Sequence, residues 1–150
     1  EYYESSDGIS SQGFEVELVG EITRGWDVMA GYTNFDMDAN QQTDENVIRF
    51  TPDKTFKLAS SYRLPWLPAL KMGVSVKWQD ETSRIDSGAE VVQDSYKLVD
   101  LFANYDLSDN LRLSLNVKNV TDEKYFTSLY WAQSYYGAPT TATASINWRY

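Results

Sequence analysis

The sequence predicts an all-β protein, an antiparallel up-and-down transmembrane β-barrel segment of about seven strands. Three observations lead there. Period-2 alternation of apolar and polar residues runs through nearly all of the 150 residues, and no helix-period segment of useful length interrupts it. The links between alternating segments are short and long by turns. The large aromatic residues sit near segment ends, with aliphatic residues between them.

Taken in order, the strand cores fall at 14–22, 26–33, 56–64, 71–78, 99–105, 111–118 and 141–150. The first alternates Phe14, Val16, Leu18, Gly20 and Ile22 against Glu15, Glu17, Val19 and Glu21. Thr23-Arg24-Gly25 turns it into the second, which carries Trp26, Val28, Ala30 and Tyr32. The third carries Phe56, Leu58, Ser60, Tyr62 and Leu64 and runs into the turn from Pro65 to Leu70. Met72, Val74, Val76 and Trp78 mark the fourth; Val99, Leu101, Ala103 and Tyr105 mark the fifth. Ser108-Asp109-Asn110 leads to the sixth, with Leu111, Leu113, Leu115 and Val117. The seventh carries Ala142, Ala144, Ile146, Trp148 and Tyr150. Gly, Pro, Asp and Asn take turn roles in the short links. The other three links, Asp36 to Phe50, Asp80 to Asp94 and Thr121 to Pro139, are long.

Of the 31 positions in the apolar phase only Gly20 and Ser60 are not apolar or aromatic, and none is charged. The opposite phase has 28 positions, of which 12 are charged. A slip of one residue would invert every strand, so the register is strongly specified. Alternation alone favours a soluble antiparallel β protein with one face buried on a core. The aromatics favour the bilayer. Trp26, Tyr62, Tyr105, Trp148 and Tyr150 fall near the short-turn rim, and Phe14, Tyr32, Phe56 and Trp78 near the long-loop rim. Amphipathic rings prefer the headgroup level, so two belts around an aliphatic band match a membrane wall.

Composition narrows the function. With 13 Lys+Arg against 22 Asp+Glu the net charge is -9, which argues against a nucleic-acid partner, since phosphate contacts need a basic surface. There is no Cys and no His. Thiolate and imidazole metal sites and the usual nucleophile–base pairs are therefore excluded, and an enzyme is not expected. Mean hydropathy is -0.49, as expected when only half of each strand must be oily. The chain begins at Glu1 without a signal peptide, the expectation being a processed protein or a fragment.

Several stretches resemble one family. Gln12 to Ile22 with Trp26 to Thr33 resembles a strand pair of TonB-dependent receptors, as do Thr55 to Leu58 with Ser61 to Pro65, and Val99 to Tyr105. The most specific stretch is Leu113 to Phe126. Its Asn116, Asn119, Val120, Asp122, Tyr125 and Phe126 match the family's N-x-x-N-[LV]-x-D-x-x-Y-[YF] segment. Tyr135-Tyr136-Gly137-Ala138-Pro139 is similar to the loop end of ferripyoverdine, coprogen and ferrioxamine receptors. The resemblance covers essentially the whole chain, as the final third of the family's barrel. It implies a 22-stranded barrel, an outer-membrane location, a plug domain that this chain lacks, and energy-coupled uptake of a ferric siderophore. TonB would be reached through N-terminal regions missing here, and no cofactor is implied. The alternating Ala142, Ala144, Ile146, Trp148 and Tyr150 also resemble the strand signal read by barrel-insertion machinery. A complete small outer-membrane barrel with a structural or adhesion role, and a soluble sandwich, are the alternatives.

Ligand contacts are expected from the aromatic residues of the last long loop, Tyr130, Trp131, Tyr135 and Tyr136, which can stack on flat chelating groups. Asp36, Asp38, Asn40, Asp44 and Glu45 mimic the start of a calcium loop, but Gln41 and Val47 stand where it needs Gly and Glu, so a solvated loop and no metal site is expected. Asn119-Val120-Thr121 is a formal glycosylation sequon set aside in a bacterial context. Inward Glu15, Glu17, Glu21, Lys57, Arg63, Lys71, Lys77 and Arg112 are expected to form hydrated cross-strand pairs. Residues 1–8 and the three long links hold 14 of the 22 acids. The acidity thus belongs to one rim, expected to face outward and to meet lipopolysaccharide through divalent cations, with outer-membrane lipid around the wall.

Overall fold

The computed structural model describes residues 8–39, 45–129 and 134–150. In chain order the elements are β1 (Ile9–Thr23), β2 (Trp26–Ala39), α1 (Asn46–Arg49), β3 (Lys54–Arg63), β4 (Leu70–Gln79), β5 (Thr82–Asp86), β6 (Ala89–Gln93), β7 (Tyr96–Ser108), β8 (Leu111–Lys118), β9 (Phe126–Ser128), β10 (Tyr135–Tyr136) and β11 (Thr141–Trp148). Seven strands form one antiparallel sheet in the order β1-β2-β3-β4-β7-β8-β11. All seven expected strands are present, each beside the one before it in that series, with no crossover.

The register keeps like phases together. Val16 faces Tyr32, which faces Phe56, which faces Trp78. Trp26 faces Tyr62, which faces Met72. Gly25, at φ 81°, closes the first short turn in the left-handed region that glycine adopts freely. Its N–H donates to Glu21 Oε1 at 2.6 Å, and its carbonyl accepts from Arg63 N at 2.8 Å.

Three details differ from the sequence expectation. Pairing in the first hairpin runs past the alternating core, to Gln12 opposite Asp36 and Ser10 opposite Asp38. Asp36 and Asp38 are therefore strand residues, in a stretch where Phe35 and Met37 carry on the period-2 alternation but in the opposite phase to Tyr32. The third strand ends at Arg63, and Leu64 instead donates to Leu70 O at 3.1 Å across the turn. β11 ends at Trp148, although Arg149 N still reaches Asn110 O at 2.9 Å. The long links also carry structure of their own: α1, the β5–β6 hairpin and the β9–β10 pair. Ser87 and Gly88, at φ 51° and 84°, form the β5–β6 turn, the two positive φ values that a tight hairpin demands.

The main sheet is a single layer. Among the described residues the one buried apolar side chain is Leu129, at 4% exposure, and it lies in the last loop rather than on the sheet. Val16, Leu18 and Ile146 remain 58%, 59% and 71% exposed. A sandwich needs a second sheet about 10 Å away, and the other two sheets are two-stranded loop hairpins. β1 and β11 are edges that do not pair with each other, so the described strands form no small closed barrel. Neither alternative reading survives.

Candidate functional site: the polar face and the long-loop rim

The polar face carries ion pairs that span strands. Asp27 on β2 accepts from Ser61 on β3 at 3.2 Å and from Lys71 on β4 at 3.0 Å. Asp106 on β7 is held by Arg112 on β8, with Arg63 on β3 at 3.9 Å. Arg63 also donates to Pro68 O at 2.7 Å in the turn. These groups cluster at the short-turn end, where charges crossing a strand tie non-adjacent neighbours together. Ser114 donates to Asn104 at 2.7 Å in the same region. Of the inward charges expected to pair, Arg63, Lys71 and Arg112 do so. Glu15 accepts only a weak bond from Thr33 at 3.4 Å, and Glu21 caps Gly25.

Two outliers in the alternation have local causes. Ser60 stands on the apolar face because the indole N–H of Trp26 donates to its Oγ at 2.9 Å; an indole N–H facing hydrocarbon needs an acceptor. Phe102 stands on the polar face directly opposite Gly73, where its ring covers the backbone that the glycine leaves bare.

At the opposite rim the long links interlock. Asn46 of α1 donates to Ile85 O at 3.1 Å and accepts from Ile85 N at 2.8 Å, pairing like a strand edge. Arg49 reaches Glu90 at 3.6 Å. Gln93, 8% exposed, accepts from Phe126 N at 2.6 Å. Arg84 approaches Leu129 O at 3.5 Å. Tyr96 stacks on Tyr125 at 4.6 Å and donates to Gln79 Oε1 at 3.0 Å.

The family-like segment after β8 builds a buried hub. Asn119 is 4% exposed and holds φ 50°, a left-handed conformation that asparagine tolerates better than most residues. Its amide donates to Glu123 O and Ala138 O at 2.9 and 3.1 Å, and its Oδ1 accepts from Glu123 N at 2.9 Å. Its backbone N donates to Asp100 at 2.8 Å, and its carbonyl accepts from Thr140 Oγ1 at 2.6 Å. Asp122 accepts from Thr140 N at 3.1 Å. The motif thus ties β7, β8 and the start of β11 into one knot, a role that its spacing alone did not disclose.

The expected site residues fall as follows. Tyr130 and Trp131 lie outside the described residues. Tyr135 and Tyr136 form β10 and are 62% and 71% exposed; Tyr136 stacks on Phe126 at 4.7 Å. Of the rim aromatics, Phe14 meets Tyr32 at 5.9 Å, Trp26 meets Tyr62 at 6.2 Å and Trp148 meets Tyr150 at 6.3 Å. Phe56 and Trp78 face each other in register, and Tyr105 lies opposite Leu70 and Leu113. Ala142, Ala144 and Ile146 lie on the apolar phase of β11, opposite Val117, Leu115 and Leu113. Sequence reading missed Tyr96, Tyr125 and Phe126 as members of the rim cluster; their aromatic spacing beside Tyr135 and Tyr136 was the available signal. No group of three or more Asp or Glu converges among the described residues.

A one-layer sheet with one bare apolar face and one polar face defines a segment of a transmembrane β-barrel wall. Residues 1–120 match the family described as "TonB dependent receptor-like, beta-barrel". The chain belongs to that family, whose members are receptors of the bacterial outer membrane and not enzymes. It is 34% identical over 151 residues to the ferric-pyoverdine 358 receptor of Pseudomonas putida, covering 95% of this chain and 18% of that one. It is 31% identical to the ferripyoverdine receptor of Pseudomonas aeruginosa, over 92% of this chain and 18% of the relative. Among solved structures, the pyoverdine outer membrane receptor FpvA from Pseudomonas aeruginosa PAO1 bound to pyoverdine superposes with a TM-score of 0.86 at 30% identity, over 95% of this chain and 22% of that one. The chain spans about a fifth of the length of the curated relatives it matches.

Proposed function

We propose that this chain is the C-terminal part of the barrel of a receptor that takes up a ferric siderophore of the pyoverdine class, with TonB supplying the energy. The observation that carries the reading is the 34% identity to a ferric-pyoverdine receptor along 95% of the chain. The two-faced sheet supports it, because a polar wall is what a hydrated lumen or an enclosed plug requires. In this reading the plug and the TonB-contacting segment belong to parts of the protein outside residues 1–150. The loop bundle is the ligand-facing rim, with Tyr135 and Tyr136, and Tyr130 and Trp131 beside them in sequence, as contacts for flat chelating groups. The aromatic pairs at both strand ends sit at the headgroup levels of the lipid. Alternating Ala142, Ala144, Ile146, Trp148 and Tyr150 form the strand read by the insertion machinery. The acidic rim meets lipopolysaccharide through divalent cations.

The test is uptake. Cells lacking other pyoverdine receptors, and carrying the full-length protein, should accumulate radioactive iron from ferripyoverdine only when TonB is present. Equal accumulation without the receptor or without TonB overturns the reading.

A further inference from the structure

Two lysines on the polar face stand against each other. Lys57 of β3 and Lys77 of β4 are direct register partners, and both are exposed. Like charges directly opposite on one face of a sheet repel and destabilise it. The other cations of these two strands are compensated: Lys54 by Asp80 at 3.3 Å, Arg63 by Asp106 at 3.9 Å and Lys71 by Asp27 at 3.0 Å. Neither Lys57 nor Lys77 has a carboxylate within 4 Å among the described residues.

The neighbouring acids are elsewhere engaged or set back. Glu17 lies in the same row, but beyond Gly31, which faces both Glu17 and Lys57. Asp100 lies diagonal to Lys77 and accepts the Asn119 N–H at 2.8 Å. A side chain at Gly31 would meet nothing within 4 Å, so the space beside Lys57 is open. One row nearer the long loops, Thr55 faces Gln79 and Gln79 faces Tyr96, the residue stacked on Tyr125. Lys57 and Lys77 therefore stand one row below the Gln79–Tyr96 pair, whose tyrosine stacks on Tyr125, on the face that polar residues line.

Building on the receptor reading, we propose that Lys57 and Lys77 form a two-point clamp for a carboxylate of the ligand as it enters beneath the aromatic rim. An anionic group between them converts a repulsive pair into two charge-assisted hydrogen bonds. The same chemistry is offered by an acidic side chain of a protein segment inside the barrel, and the experiment separates the two sources.

In the full-length receptor, Lys57→Gln, Lys77→Gln and the double variant are compared for ferripyoverdine affinity, alongside ferripyoverdine with its carboxyl groups converted to amides. Each single variant should lose about fivefold in affinity for the native ligand, at about 1 kcal/mol per charge-assisted bond lost. The amidated ligand should bind all forms equally weakly. Malonate, against chloride at equal ionic strength, should raise the unfolding midpoint of the unsubstituted receptor and not of the double variant. Native affinity in all variants, or equal losses for both ligand forms, overturns the ligand clamp. Unchanged affinity in all variants, with a lowered unfolding midpoint in the double variant and no malonate effect on any form, assigns the lysines to a protein carboxylate and also overturns it. If the unsubstituted receptor binds no ferripyoverdine, the receptor reading fails, and the malonate comparison alone decides whether the lysines hold an anion.

Discussion

The ring of Phe102 on β7 occupies the place where a side chain on Gly73 of β4 would stand. The two residues are register partners, and a Cβ built on Gly73 would collide with Cε1 and Cζ of Phe102 and with the Ser60 carbonyl. A bare glycine in a strand interior weakens the sheet; a cross-strand ring laid over it restores the lost contact.

Gly73→Ala is therefore expected to destabilise the receptor although alanine is the better strand residue. Forced displacement of a packed ring costs about 1–3 kcal/mol. Urea unfolding of the receptor in lipid vesicles reads this as a lowered midpoint. Phe102→Ala at the same site should remove only the ring's share of the penalty of Gly73→Ala in the double variant, because the Ser60 carbonyl still stands against the added Cβ.

Asn119 gives a second test. Asn119→Ala removes a buried amide with three hydrogen bonds and leaves a non-glycine residue at φ 50°. Each partner left unsatisfied costs about 1–3 kcal/mol. Asn119→Gly should cost less than Asn119→Ala, because only the backbone strain is relieved. Equal losses in the two variants, measured by the same unfolding assay, would show that the conformation contributes nothing.

Ser60→Ala makes the apolar face more uniformly apolar, yet should lower stability by about 1 kcal/mol through the indole N–H left without an acceptor. Trp26→Phe removes that donor, so Ser60→Ala added to Trp26→Phe should cost nothing further. A double-mutant cycle in vesicles measures the coupling.

At the rim, a Cβ on Gly137 would run into the Tyr125 ring. Gly137→Ala should displace Tyr125 from its stack with Tyr96 and, on the proposed reading as a ferripyoverdine receptor, weaken ligand binding with little change in the unfolding midpoint. Ligand titration by fluorescence, run beside the unfolding curve, separates the two effects.

The wall was legible in the sequence because each strand repeats one physical demand: oil on one side, water on the other. Phe14 to Ile22 and Leu111 to Val117 announce themselves by that repetition. The rim was not. β5 and β6 are five residues each, too short for periodicity to separate from chance. The Asn46–Ile85 and Gln93–Phe126 bonds join residues more than thirty positions apart and leave no local trace. Asn119 was visible as part of a motif, but it joins three strands through the Asp100 carboxylate and the Thr140 hydroxyl, 19 and 21 positions away, which leave no local signal. Phe102 and Ser60 looked like errors of pattern and each has a specific partner.

The absence of crossovers in the main sheet has a bearing on how the wall is made. Each of its strands needs only the strand before it as a template, so every pairing closes a loop of modest length, and closure entropy rises slowly with length. Such a sheet can grow hairpin by hairpin, each addition protecting the backbone edge exposed by the last. Local pairings of this kind favour fast formation. A stalled addition would leave one strand edge open at the growing seam, and that edge is where a folding catalyst or a quality-control protease would find its substrate.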